Sequence, residues 1–259
     1  MKPSAGCAAC RDGTALPFAF TMAFQPILDL AAGRVWGYEA LVRGVAGEPA
    51  GAILAQVNDE TRYRFDQAAR VKAIELAGRL FPAGEDIRLS INFMPNAVYE
   101  PNACIRASLE AARRVGFPHR QIMFEFTENE RFRDIEHVKR IVAAYRQQGF
   151  MTALDDFGAG FAGLSLLANF QPDLIKIDMD VLRGIDADSR RRTIVGGIAS
   201  IARSLGIAVL AEGIESAAEV EAVRALGVNL VQGYHFARPL IEALPPVAGL
   251  PLPPAAKAA

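Results

Sequence analysis

Apolar residues along this chain arrive in two alternating rhythms. Short apolar runs, Ile87 to Asn92, Ile122 to Phe126, Met151 to Leu154, Leu174 to Ile177, Ile207 to Ala211 and Val228 to Val231, read as strands buried on both faces. Between them apolar positions recur at helical spacing. One stripe is Phe65, Ala69, Ala73, Leu76 and Leu80; a second is Ile135, Val138, Ile141, Val142 and Tyr145. A third is Ile194, Ile198, Ile201 and Leu205, and a fourth Val220, Val223 and Leu226. Ala103 to Val115 reads as a further helix. Gly116, Gly149, Gly206 and Gly227 each stand between a helical stretch and a strand, where a left-handed residue can end the helix. Ser216-Ala217-Ala218-Glu219 has capping-box spacing, and Asp188-Ser189 marks another helix start.

Ahead of this alternation, Phe20 to Leu30 and Arg34 to Val42 read as two strands turned at Ala31-Ala32-Gly33, a hairpin. Strands that alternate with amphipathic helices imply a parallel sheet covered by helices. Eight strands can be counted, and 259 residues fall near the ~250 typical of one such barrel. The pattern therefore predicts an α/β fold, a TIM-like (β/α)8 barrel in which the N-terminal hairpin supplies one antiparallel strand. An open α/β sheet is the alternative. The barrel is expected over residues 18–243, between a flexible N-terminal segment, 1–17, and a Pro/Ala-rich disordered tail, 244–259.

Charge changes this picture little: 28 basic and 29 acidic residues nearly cancel, so no global field points to DNA, RNA or an anionic membrane. Arg190-Arg191-Arg192, the one compact basic cluster, reads as a solvated helix face. No apolar run is long enough to cross a bilayer and no signal-peptide pattern opens the chain, so a cytoplasmic protein without a membrane partner is expected. Three cysteines make no disulfide framework; Cys7 and Cys10 have CxxC spacing without a second pair, and read as a non-essential terminal feature.

The candidate chemistry lies at the strand ends. In a barrel of this kind the C-terminal ends of the strands share one face, where active sites form. Read off the sequence, that rim carries Glu39, Asn92, Glu125, Asp155, Asp156, Lys176, Glu212 and Gln232, all polar. Any one of them has a plain explanation as a solvated loop residue, a cap or a barrel-end ion pair. Their shared position at the ends of apolar runs does not. A donor set of carboxylates and amides suits Mg²⁺ or Mn²⁺, and it lacks the His and Cys that zinc favours. His119, His137 and His235 fall outside it. The acids outnumber what one cation needs, which suggests two cations per site, ~3.5–4 Å apart, clamping a phosphodiester and its attacking water. Lys176, the one cation of the set, is then aimed at a phosphoryl oxygen or that water.

Taken in order, these residues resemble the EAL-domain cyclic di-GMP phosphodiesterases. The resemblance runs from Phe24 to about Pro239. It is carried by Phe24-Gln25-Pro26-Ile27, by Glu39-Ala40-Leu41 with Arg43, by Ile91-Asn92 and by Glu125-Phe126-Thr127-Glu128. Asp155-Asp156-Phe157-Gly158-Ala159-Gly160, Lys176-Ile177-Asp178, Ala211-Glu212-Gly213-Ile214-Glu215 and Gln232-Gly233-Tyr234 complete it. The resemblance implies that Glu39, Asn92, Glu125 and Asp155 bind one metal, with Asp155 bridging and Asp156 serving the second. It implies that Lys176 orients water and phosphate, that Glu212 is the general base or a metal-linked acid, and that Gln232 supports the metal-bound water. Glu128 and Glu215 would hold the loop after Asp156, which in this family couples a dimer interface to the metal site. Gln25, Leu41 and Arg43 match positions on the dinucleotide. The implied reaction opens one phosphodiester of cyclic di-GMP to give linear pGpG. The implied partners are that nucleotide, a second copy of the chain, and a regulatory partner supplying an input this sequence does not encode. Some family members are silent receptors or protein-interaction modules, and this is the alternative reading. The sequence departs from the family at Gly44, where tryptophan is common, and at Phe93-Met94, where small polar residues are usual.

Overall fold

A computed structural model describes residues 15–98, 100–127, 135–160 and 163–247. In chain order the strands are β1 (Thr21–Asp29), β2 (Arg34–Arg43), β3 (Arg88–Asn92), β4 (Ile122–Thr127), β5 (Met151–Phe157), β6 (Leu174–Ile177), β7 (Ala208–Ala211), β8 (Leu230–Val231) and β9 (Leu240–Ile241). The helices are α1 (Ala50–Leu54), α2 (Arg62–Leu80), α3 (Pro101–Cys104), α4 (Arg106–Val115), α5 (Ile135–Gln147), α6 (Gly163–Asn169), α7 (Met179–Leu182), α8 (Ser189–Leu205) and α9 (Ala217–Ala225). Strands β2 to β8 pair in parallel in sequence order, and β1 closes the ring by pairing antiparallel with both β2 and β8. This is the expected barrel with its antiparallel hairpin strand. The ninth strand stands outside the ring, paired with β1 at Ala23 and Phe24.

The helix ends follow the expected chemistry. Gly116 and Gly206 cap α4 and α8 at φ 68° and 71°, the left-handed region that costs glycine no Cβ contact. Ser216 and Glu219 form a reciprocal capping box at the start of α9, and Asp188 accepts the Arg190 and Arg191 N–H groups at the start of α8. Three stretches differ from the expectation. The helix over Ala103 to Val115 is broken at Ile105 into α3 and α4, with Pro101 starting the first piece. On α8 the buried face is Val195, Ala199 and Ala202, so Ile194, Ile201 and Leu205 of the apolar stripe lie exposed. The arginines at its start are not simply solvated: Arg191 donates to Asp180 O, and Arg192 to Ile185 O and Asp186 O.

Two layers fill the ring. Met123, Ala153 and Leu174 belong to an apolar cluster with Ile27, Trp36 and Leu210. Two residues further along their strands come Glu125, Asp155 and Lys176, which share the same face because side chains alternate along a strand. The apolar floor therefore carries a polar layer at its C-terminal end. The segments 1–14 and 248–259, with Cys7 and Cys10, lie outside the described residues, as do Glu128 and Phe161.

Candidate metal centre

Lys176 projects from β6 into that polar layer and meets four carboxylates. Its Nζ lies 2.9 Å from Glu125 Oε2, 3.1 Å from Asp155 Oδ1, 2.8 Å from Glu212 Oε1 and 3.5 Å from Glu39 Oε2. Burial alone would push an ammonium down, but the surrounding carboxylates of Asp155, Glu125, Glu212 and Glu39 hold Lys176 well above the ordinary lysine value. The acids show the opposite strain. Burial pushes the Glu125 carboxyl up to about 8, with Glu39 and Asp155 adding to the rise against the pull of Lys176. Burial, then Asp155, raises Glu212 as well. One ammonium is too little positive charge for this many acids.

Two groups of carboxylates offer oxygens close enough to share an ion: Glu39, Glu125 and Asp155, and Asp155, Asp156 and Glu212. Asp155 belongs to both. The backbone explains how adjacent residues of one strand can serve the same site. In a regular strand Asp155 and Asp156 would face opposite ways, but the pairing of β5 with β6 slips between Leu154 and Phe157, and Asp156 takes φ 55°. Both then line one cavity of about 390 Å³, with Gln25, Leu41, Lys176 and Gln232. Thr127 donates to Asp156 Oδ2 at 2.7 Å and fixes that side chain.

The amides are held by the same acids. Asn92 Nδ2 donates to Glu39 Oε1 at 3.0 Å, and Gln232 Nε2 donates to Glu39 Oε2 at 2.8 Å and to Gln25 Oε1 at 3.2 Å. Gln232 Oε1 is buried without a hydrogen-bond partner among the described residues. An orphaned acceptor beside a surplus of carboxylates fits a site completed by a hydrated divalent cation, and the all-oxygen donor set is the chemistry of hard divalent cations. Glu39, Asn92, Glu125 and Asp155 would hold one ion, and Asp155 and Asp156 the other.

The other candidate residues separate. Leu41 borders both this cavity and a second one of about 400 Å³, which Asp66, Asn92, Phe93, Thr127 and Asp155 also line. Arg43 turns back to its neighbour's carbonyl, Val42 O at 2.7 Å, and lines neither cavity. Glu215 borders the first cavity and pairs with Arg183 at 2.9 Å. Gly44 opens a tight turn in which a Cβ would lie 2.0 Å from Glu48 Oε2, so the loop closes on itself at the position of the family's tryptophan. Sequence reasoning missed Ser90, which donates a short hydrogen bond to Glu125 Oε1, and the role of Thr127. Each stands two residues from a metal candidate on its own strand, Asn92 and Glu125, and strand alternation points to both.

A closed α/β barrel with an acid-rich, oxygen-donor centre at the C-terminal ends of its strands defines a class suited to divalent cations. Within that class the chain belongs to the EAL domain family, which it matches over residues 18–239. Klebsiella pneumoniae BlrP1, solved as a calcium/cy-diGMP complex and as a manganese/cy-diGMP complex, is 33% identical in the calcium form, with TM-score 0.82 over 90% of this chain and 60% of that one. A standalone versatile EAL protein from Vibrio cholerae O395, solved in its c-di-GMP-bound form, is 52% identical, with TM-score 0.86 over 90% of this chain and 97% of that one. Two Escherichia coli K12 proteins are also similar. The blue light- and temperature-regulated antirepressor BluF is 31% identical over 227 residues, 87% of this chain and 56% of its own length. The probable cyclic di-GMP phosphodiesterase PdeN is 30% identical over 232 residues, 85% of this chain and 43% of its own length. The chain thus spans about half the length of these two relatives.

Proposed function

We propose that this protein hydrolyses one phosphodiester of cyclic di-GMP, with water attacking phosphorus and the ribose 3′-oxygen leaving, to give linear pGpG. The observation that carries this reading is the sharing of Asp155 between two carboxylate groups around one buried, protonated lysine. When bound, two divalent cations supply charge stabilisation to the attacking and leaving oxygens. The chain's own residues do the rest. Lys176 Nζ donates to a phosphoryl oxygen as charge builds on it. Glu212, 2.8 Å from Lys176 Nζ and grouped with Asp155 and Asp156, takes the proton of the attacking water. Gln232 Oε1 accepts from that water, while its Nε2 keeps Glu39 in place. The two cavities that flank the cluster, with Leu41 between them, accommodate the two guanosine halves.

The purified protein incubated with cyclic di-GMP and either Mg²⁺ or Mn²⁺ is expected to give pGpG as the product on chromatography. No product with either ion, beside an active control enzyme, would refute the hydrolytic reading. One second reading is a nucleotide receptor without turnover: the similar Vibrio cholerae EAL protein is solved in its c-di-GMP-bound form, and BluF is named an antirepressor rather than an enzyme. That reading predicts nucleotide binding in the same samples and unchanged substrate.

The active species is proposed to be a homodimer. An apolar groove of about 460 Å³ runs between the segment after β5 and helix α8, bordered by Leu164, Ile194 and Ile201, all exposed. Leu166, on the same segment, is buried and takes no part in that surface. Light scattering should give twice the mass of one chain, and Ile194→Asp should halve it. A monomeric mass for the wild-type protein at high concentration sinks this assembly.

A further inference from the structure

Asp66 and Arg70 stand one turn apart on α2 as an ion pair closed at 2.6 Å, with both side chains fully removed from solvent. They belong to neither carboxylate group of the metal centre. Arg70 also donates from Nε to Asp66 O at 3.3 Å and from its guanidinium to the Tyr145 hydroxyl on α5 at 3.3 Å. The other carboxylate oxygen of Asp66 accepts the Met94 N–H at 2.9 Å. Phe93, the residue between, is locked among the rings of Phe124, Phe126 and Tyr145.

A buried ion pair is a poor source of stability, because removing two charges from water costs about as much as their attraction returns, and well-packed apolar residues of similar volume serve as well. What leucine and methionine cannot do at these positions is hold a backbone N–H. Met94 lies two residues beyond Asn92, and Asn92 Nδ2 reaches Glu39. A contiguous path therefore runs from Tyr145 through Arg70 and Asp66 to the Met94 N–H, and along the backbone to a side chain of the metal centre. We infer that Asp66, fixed from behind by Arg70, is a positioning residue for Asn92: it pins the segment after β3 so that the Asn92 amide is presented to the cation site. The departure of this chain from its family at Phe93 fits the same role, since the phenylalanine ring anchors the segment among Phe124, Phe126 and Tyr145.

This inference rests on the reading that the centre takes divalent cations, and not on turnover. Its test is calorimetric titration with Mn²⁺ alone, no nucleotide present, on wild type and two double variants, with melting temperatures measured on the same samples. Asp66→Asn/Arg70→Met keeps an oxygen for the Met94 N–H and removes both charges. Asp66→Leu/Arg70→Met removes that oxygen as well. The Leu/Met variant is expected to bind Mn²⁺ about tenfold more weakly than wild type, the order found when groups supporting metal ligands are lost. The Asn/Met variant should recover most of the loss. Equal Mn²⁺ affinity of the Leu/Met variant and wild type overturns the inference, whatever the melting temperature does, and so does an Asn/Met variant as weak as Leu/Met. If the Leu/Met variant does not fold, hydrogen exchange of wild type decides: the peptide over residues 91–96 should gain protection on adding Mn²⁺, and unchanged exchange overturns the inference. Wild type that binds Mn²⁺ without hydrolysing the nucleotide removes the hydrolytic reading and leaves this one standing; wild type that binds no Mn²⁺ removes both.

Discussion

Lys176→Met should lower turnover of cyclic di-GMP by about 10²–10³-fold, the loss seen when a preorganised donor to a developing oxyanion is removed. Methionine keeps the stem that packs across the barrel, so the change isolates the ammonium, the group within 3.5 Å of four carboxylates. Nucleotide binding should remain measurable in Ca²⁺, whose longer bonds to oxygen, about 2.3–2.6 Å against about 2.0–2.1 Å for Mg²⁺, tolerate a loosened centre. The same substitution of Ca²⁺ for Mg²⁺ should inhibit the proposed turnover by the wild-type protein. Glu212→Gln should behave like Lys176→Met, losing about 10²–10⁴-fold as a general base is lost, since neither residue is proposed as the main anchor of the nucleotide. Wild-type turnover by Lys176→Met would end the role assigned to the lysine while leaving the family assignment untouched.

Asp155→Ala should abolish metal-linked stability, because the one carboxylate shared by both groups disappears. For wild type, Mn²⁺ at about 100 times its dissociation constant should add about 2.7 kcal/mol, a rise in melting temperature of about 5–10 °C for a domain of this size. The rise should also depend on pH, with a sign set by Glu125 and Glu212. Both are pushed up, Glu125 to about 8, so without metal each favours the folded state most fully below the unfolded glutamate value of about 4.3. That contribution fades as pH rises through the folded value, about 8 for Glu125, above which unprotonated acids are left crowded together. Cations bind the unprotonated form. The melting shift caused by Mn²⁺ should therefore grow between about pH 5 and about pH 8 in wild type and be nearly absent in Asp155→Ala. Calorimetric scans with and without Mn²⁺ read both effects, and a shift that shrinks as pH rises would contradict the assignment.

Much of this architecture is legible in the sequence because barrel strands are buried on both faces and leave continuous apolar runs. The ring, the antiparallel hairpin and the capping glycines follow from that and from backbone sterics. What escapes is whatever leaves no such run. Leu240 and Ile241 are exposed and pair with β1 outside the ring, so nothing in their pattern marks a strand. The stripe on α8 has helical spacing, yet Ile194, Ile201 and Leu205 face outward and only Ile198 packs against the core, since periodicity fixes a face and not what the face meets. At the site, strand ends announce Glu125, Asp155 and Lys176. They do not announce Asp66, which reaches Met94 from the middle of a helix, nor the return of Arg43 to Val42 O. Those contacts depend on side-chain direction and on helix placement, which local spacing does not encode.

The left-handed backbone at Asp156 sets what evolution can do with this protein. An ordinary side chain at φ 55° costs about 1–2 kcal/mol, a penalty that Asn and Gly largely escape. Among replacements at this position, then, Asn keeps the turn and the bond from Thr127 while giving up the negative charge. Asparagine codons differ from aspartate codons by a single base. One base change from the proposed hydrolase therefore lies a chain expected to keep its fold and its cavity while weakening the proposed second cation site, a point of departure toward silent receptors that crosses no unfolded intermediate.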